Sequence, residues 1–164
     1  IFLSLVFSFC VAIEPSLQVN KIYFSTYNQF IYLDNYSILF TVVCLLLLSN
    51  AINLFDGING LCIILSIIIF SWMLITFKNI SFVYIIIISL SLILIFNLKN
   101  YIFLGDSGSL LLGSLIGFLI INNYNNKIIF TKFPVEDVFI VLMLPGIDML
   151  RVFILRLMII RLQI

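Results

Sequence analysis

The chain has 164 residues, 64% of them hydrophobic and 9% charged, with net charge +1, no histidine and a mean hydropathy of +1.33. Soluble domains run near 45–50% apolar and about 25% charged, so 8 basic and 7 acidic side chains cannot cover a water-soluble globule of this size. The same numbers exclude disorder, collagen and a disulfide scaffold, give no basic field for nucleic acid, and leave an all-α integral membrane protein.

At roughly 20 residues per helical crossing, the apolar runs predict about six spans in a single transmembrane domain over residues 1–164. They fall at about 1–13, 37–49, 61–77, 80–96, 109–121 and 135–158. Ile1 opens inside an apolar run, so the domain is expected to be truncated at both ends. Residues 14–36 form a polar loop in which Lys21–Ser25 and Gln29–Leu33 flank Thr26-Tyr27-Asn28, the pattern of a short hairpin. Tyr23, Tyr27, Tyr32 and Tyr36 suit an interfacial aromatic belt. A polar stretch, Asn50 to Gly60, follows the second span, and Lys78-Asn79 alone joins the third to the fourth. A second polar stretch, Asn97 to Gly108, precedes a short fifth span. Asn122 to Phe133 reads as a loop, and the sixth span begins at Pro134 or Val135. Cys10, Cys44 and Cys62 read as small core hydrophobes, and Gly113 with Gly117 as a GxxxG helix-packing pair.

Two spans separate Asp56 from Asp106, so both acids must open on one face of the membrane, and two more bring the Asp148 end of the sixth span to it. An Asp near a helix centre costs around 2.5–3.5 kcal/mol on insertion scales, and such residues usually face a cavity and carry a task. Asp148 and Arg151, three apart, are placed for an intrahelical ion pair. Lys99, Arg151, Arg156 and Arg161 fall on the aspartate side and Lys21, Lys78, Lys127 and Lys132 opposite, a tie under the positive-inside rule. The arginine cluster after the last span favours a cytoplasmic aspartate face.

Gly105-Asp106-Ser107-Gly108-Ser109 joins glycines that let backbone approach a ligand to a helix start with free N–H groups for an anion. Asp106 adds one hard oxygen ligand of the kind Mg²⁺ takes when phosphates supply the rest. The plainer alternative is that Asp106 or Ser107 caps the fifth helix. Asn50, Asn53, Asp56 and Asn59 recur every third residue, while Gly57 and Gly60 argue for a helix end running into a turn. These amides and one carboxylate suit a phosphorylated ligand; a solvated loop is the competing reading.

Asn50-Ala-Ile-Asn-Leu-Phe-Asp-Gly-Ile-Asn-Gly-Leu61 resembles the NAxNxxDGxDGL motif of the polyprenyl-phosphate N-acetylhexosamine-1-phosphate transferases. Phe96-Asn97 and Ile102-Phe-Leu-Gly-Asp-Ser-Gly-Ser-Leu110 are similar to that family's FN…FxGDxGSL motif, and Pro145-Gly-Ile-Asp148 with Arg156 follows in the right order. The resemblance implies a multi-span enzyme of the cell membrane, its active site facing the cytoplasm, that moves a sugar 1-phosphate from a UDP-N-acetylhexosamine to undecaprenyl (polyprenyl) phosphate. UMP is released, Mg²⁺ is required, and the product starts a cell-surface glycan. By the same resemblance Asp106 and Asn53 are the metal ligands, and Asp56, Asp106 and Asn53 the catalytic set. Asn50, Asn59, Gly105 and Ser107 are the substrate-binding positions, with Asn59 reaching the uracil. A homodimer is one assembly open to it.

Asn59 stands where most bacterial members carry Asp. The family's acidic pair before the first span and its histidine-containing loop after Arg156 have no counterpart here, so the chain as given is expected to be inactive and to be the middle of an enzyme. Within the family the alternative is a phospho-MurNAc-pentapeptide transferase. Outside it, the alternatives are a transporter or channel segment binding a cation, or a non-catalytic remnant.

Overall fold

The computed structural model describes residues 2–57, 59–77, 81–130 and 133–162. Helix α1 (Phe2–Ile13) leads through a 3-10 turn at Pro15–Leu17 to a hairpin, β1 (Lys21–Phe24) and β2 (Gln29–Tyr32), then through a 3-10 turn at Asp34–Tyr36 to α2 (Ser37–Leu54). Four helices follow: α3 (Leu61–Phe77), α4 (Ser81–Leu98), α5 (Gly105–Phe130) and α6 (Val135–Leu162). The fold is thus the expected all-α one with a small hairpin. Among the described residues four segments are long and apolar enough to cross a membrane: Asp34–Leu54, Ser81–Leu98, Gly105–Lys127 and Val135–Met158. The Lys78-Asn79 connection, Ile58 and Lys132 lie outside the described residues.

Helices suit these sequences because hydrocarbon offers no partner for backbone N–H and C=O groups, which must therefore be satisfied within the segment. The helices' own hydroxyls follow the same rule. Thr41, Ser66, Ser71 and Ser91 each donate to the carbonyl four residues earlier, at 2.7–2.8 Å. Lipid is as apolar as leucine, so association rests on close packing rather than on removal from water. Helices α2 and α5 pack most extensively. A Cβ on Gly113 would stand 2.7 Å from the Ser49 Cα, and one on Gly117 would stand 2.7 Å from Leu45 Cδ2, so the GxxxG pair is the contact surface for α2. Ile52, Ile63, Ile69, Phe70, Met73 and Ile116 form the fully buried centre between α2, α3 and α5.

The hairpin pairs antiparallel with Lys21 opposite Tyr32 and Phe24 opposite Gln29. Its turn is clasped from α6: Glu136 Oε1 accepts from the Ser25 N–H at 2.8 Å, the Thr26 N–H at 3.3 Å and the Thr26 hydroxyl at 3.1 Å.

Three expectations change. The fifth span is not short and residues 122–130 are not a loop, because α5 runs unbroken for 26 residues, about 39 Å at 1.5 Å per residue. Its polar second half finds partners that keep it helical. The Tyr124 hydroxyl accepts from the Tyr23 N–H at 3.0 Å, Asn125 donates to the Ser16 and Gln18 carbonyls at 2.9 Å, and Lys127 donates to the Thr76 carbonyl. Tyr23 is buried, its N–H bonded to Tyr124 of this helix, whereas Tyr27, Tyr32 and Tyr36 are exposed as an interfacial belt requires. Cys62 is buried and Cys44 half-buried, but Cys10 lies on the exposed side of α1 and is no core residue.

Candidate active site

The two polar motifs meet at the end of the bundle opposite the hairpin. Helix α2 stays regular to Leu54, so Asn50 and Asn53 both lie on it rather than in a loop. Asn50 turns back on its own helix, its amide donating to the Leu46 carbonyl at 2.8 Å. Asn53 reaches across: its Nδ2 donates to Ser109 Oγ at 2.8 Å and to Asp106 Oδ1 at 3.4 Å. Ser109 is fully buried, and its own proton is shared between the Gly105 and Asp106 carbonyls at 3.1 and 3.2 Å.

Gly105 enters α5 at φ +67, in the left-handed region that glycine adopts without strain. Asp106 and Ser107 then occupy the exposed first turn. That turn carries the N–H groups the helix cannot satisfy internally and the positive end of its dipole, a setting that favours an anion.

Asp56 follows α2 in a half-buried turn, its N–H donating to the Asn53 carbonyl at 3.2 Å. Burial, and after it the negative charge of Asp106, pushes the Asp56 carboxyl above its ordinary range. No cation among the described residues counters this shift.

The far edge of the site is built from the turn after α4. Asn100, at φ +60, takes the left-handed position of a Schellman cap: its N–H donates to the Asn97 carbonyl at 2.9 Å and the Tyr101 N–H to the Phe96 carbonyl at 3.0 Å. Asn97 is buried and holds the loop onward to Asp106, its Nδ2 donating to the Ile102 carbonyl at 2.8 Å. Gly60, at φ +80, takes the left-handed backbone that glycine adopts without strain, and Leu98 Cδ2 packs beside it. Beside it, Asn59 Nδ2 donates to Asn100 Oδ1 and ties the first motif to the second.

Of the expected site residues, Asn53, Asp56, Asp106, Gly105 and Ser107 are therefore gathered at one junction, with Asn59 at its edge. Asp148 does not join them. Arg151 takes its carboxylate at 2.7 Å, the ion pair expected from their spacing. Ser109 and Asn100 are the two residues that sequence reasoning passed over. The signals were there: a Ser four residues after a helix-opening Gly can back-bond to it, and an Asn just past a helix is a left-handed cap.

The donor set fits a divalent cation completed by phosphate oxygens. Asp56 feels the negative charge of Asp106, and Asn53, its amide nitrogen committed to Ser109 and Asp106, has Oδ1 left to offer. Among the described residues no three His, Cys, Asp or Glu side chains converge as metal ligands.

An apolar groove of about 490 Å³ opens between α2, α5 and α6. Phe40 and Leu47 line it from α2, Gly117 from α5, Phe139 and Met143 from α6, and Ala51 brings it to within two residues of Asn53.

The family model described as glycosyl transferase family 4 matches residues 1–123, which include both motifs and every residue of the Asn53–Asp106–Ser109 junction. No curated protein and no solved structure matches the chain. By a match that covers most of its length, the chain belongs to glycosyl transferase family 4.

Proposed function

We propose that this membrane-embedded sugar-phosphate transferase moves N-acetylhexosamine 1-phosphate from a UDP-sugar to a polyprenyl phosphate, releasing UMP toward the cytoplasm. The observation that carries the reading is the junction in which Asn53 of the first motif bonds to Asp106 and Ser109 of the second. Phosphoryl transfer onto a lipid phosphate needs no nucleophile from the protein. It asks for positioning and charge stabilisation, and the lipid phosphate is already an anion.

In this reading the first turn of α5 receives the donor's pyrophosphate on its free N–H groups. Asp106 and Asn53 hold Mg²⁺, which when bound neutralises charge on the pyrophosphate. Ser109 fixes the Asn53 amide so that its oxygen stays turned to the site, and Asn59 with Asn100 borders the nucleoside. An oxygen of the lipid phosphate bonds to the phosphorus that bears the sugar, the pyrophosphate bridge breaks, and UMP departs with the bridging oxygen. The groove between α2, α5 and α6 supports the acceptor assignment, because it offers the polyprenyl chain an apolar bed ending beside Asn53.

The test uses membranes carrying the full gene product with Mg²⁺ and labelled donors. Transfer of label from UDP-GlcNAc into lipid with release of UMP is the expected result. Labelling from UDP-MurNAc-pentapeptide instead would assign the protein to peptidoglycan synthesis. Asp106→Asn is expected to lower turnover about a hundredfold or more, and unchanged turnover would remove Asp106 from the metal.

A further inference from the structure

The hairpin takes no part in the junction at Asp106, yet the chain leading into and through it is bonded to all three helices that wall the apolar groove. Toward α2, the Val19 N–H donates to Thr41 Oγ1 at 3.0 Å, and Thr41 gives its own proton to the Ser37 carbonyl. Toward α5, the Tyr23 N–H donates to the Tyr124 hydroxyl at 3.0 Å. Toward α6, Glu136 Oε1 accepts from the Ser25 and Thr26 N–H groups at 2.8 and 3.3 Å. So held, Val19 and Ile22 line the groove with Tyr124 at the hairpin end, and all three are buried. The flank of the groove is different. Phe40 and Leu47 of α2 and Phe139 and Met143 of α6 line it and are exposed, along two segments apolar enough to span a membrane.

The groove thus has an apolar bed, a side open to lipid, one end beside Asn53 and the anion-favouring start of α5, and a hairpin across the other end. That combination fits a lipid with a phosphate head and a long tail. We propose that the hairpin is the end-stop of the acceptor's tail site, so that Val19 and Ile22 set how much of the polyprenyl chain the protein holds. The proposal rests on the reading of a polyprenyl phosphate acceptor with its phosphate near the Asn53–Asp106 junction, and adds to it a length. The groove follows α2 from Ala51 back to Phe40 and α6 from Leu150 back to Val135, about 16 and 22 Å at 1.5 Å per residue. An isoprene unit adds four chain bonds, about 5 Å when extended, so the bed has room for about four units. The volume agrees: a cavity of about 150 Å³ holds one benzene ring, so about 490 Å³ holds about 20 carbons, again four units. Carbons beyond the stop leave through the open flank. Lipid is as apolar as the groove, so each held unit contributes packing against fixed walls, and units outside contribute nothing.

The test is transfer by the full gene product in vesicles, with the labelled UDP-GlcNAc and UDP-MurNAc-pentapeptide donors and polyprenyl phosphates of increasing length at equal surface concentration. The acceptor KM should fall severalfold as isoprene units are added up to about four and then stay level, with kcat little changed. Ile22→Phe fills the end of the bed and should bring the level stretch on at a shorter tail. Ile22→Ala opens it and should bring it on at a longer one. Glu136→Ala, which frees the hairpin from α6, should act in the same direction as Ile22→Ala. Each comparison is made within one variant, so a smaller folded fraction does not displace it. No transfer from either donor to any acceptor would overturn the acceptor reading and this assignment together. Transfer with a KM indifferent to tail length, or with the level stretch unmoved in both Ile22 variants, would overturn the assignment and leave the acceptor reading standing, with membrane phospholipid as the occupant of the groove.

Discussion

Asn53 and Ser109 lie on different helices, yet the Asn53 amide reaches the Ser109 hydroxyl at 2.8 Å. This bond joins the end of α2 to the start of α5, and it decides which atom of Asn53 is left for chemistry. Removing the hydroxyl should therefore hurt function more than fold. Ser109→Ala leaves the Asn53 amide with Asp106 as a distant acceptor at 3.4 Å. We expect turnover to fall at least tenfold and the apparent Mg²⁺ requirement to rise, with a melting temperature only a few degrees lower, consistent with about 1 kcal/mol for one hydrogen bond. Turnover and Mg²⁺ titrations beside thermal melting in detergent would check this, and equal Mg²⁺ dependence in the two proteins would contradict it.

Asp56 gives a prediction in pH. Burial and Asp106 raise its carboxyl pKa in the fold, so the ionised form weakens the fold. The stability it leaves intact is complete below the ordinary carboxylate range and falls as pH rises from there to the raised folded value. Without divalent cation, Asp56→Asn should then melt higher than the unchanged protein at pH 7, and the gap should close toward pH 4. Adding Mg²⁺ at millimolar concentration should stabilise the unchanged protein and the variant much less. Melting curves at both pH values with and without Mg²⁺ would decide it; a variant that melts lower at pH 7 without cation would refute the like-charge account.

How far the sequence could be read depends on whether a residue's partner is near it in the chain. The helices, the hairpin and the placing of Asp56 and Asp106 at one end of the bundle follow from apolar runs, turn residues and span counting, all of them local or topological. The extension of α5 through Asn125 and Lys127 does not, because those polar residues find their partners at Ser16, Gln18 and Thr76, far away in the chain. Tyr23 misled for the same reason: it is buried in the hydrophobic core and not displayed at an interface. Of the residues drawn from the motifs, Asn53 bonds to Asp106 across two helices, but the sequence did not tell Asn53 from Asn50. Both carry the same side chain on one helix, and only the fold shows one crossing to α5 and the other folding back to Leu46.

The α2–α5 packing is expected to couple stability to activity. Gly113→Ala puts a Cβ 2.7 Å from the Ser49 Cα, a backbone atom that cannot step aside, so the helices must separate. Gly117→Ala meets Leu45 Cδ2 at the same distance, but that methyl can swing away. Ala in place of a helical Gly favours the helix by roughly 1 kcal/mol in itself. We expect Gly117→Ala to be close to neutral and Gly113→Ala to lower both the melting temperature and turnover, since Asn53 lies one turn beyond Ser49. Equal behaviour of the two variants would deny that Gly113 sets the spacing.

At the other end of α5 the reverse pattern should hold. The Tyr23 N–H is buried and has the Tyr124 hydroxyl as its acceptor at 3.0 Å. Tyr124→Phe keeps the ring contact with Phe133 but removes the hydroxyl that accepts from that N–H, a loss of about 1–3 kcal/mol. Tyr124 stands 18 residues from Asp106 along one helix, about 27 Å at 1.5 Å per residue, too far for direct electrostatic influence on the reacting phosphates. The variant should melt several degrees lower while the turnover of its folded fraction stays within about twofold of the unchanged protein. Hydrogen exchange should show the Tyr23 amide losing protection while amides at the start of α5 keep theirs. Should turnover drop with the amides near Asp106 still protected, the hairpin end would be coupled to catalysis by something other than fold stability.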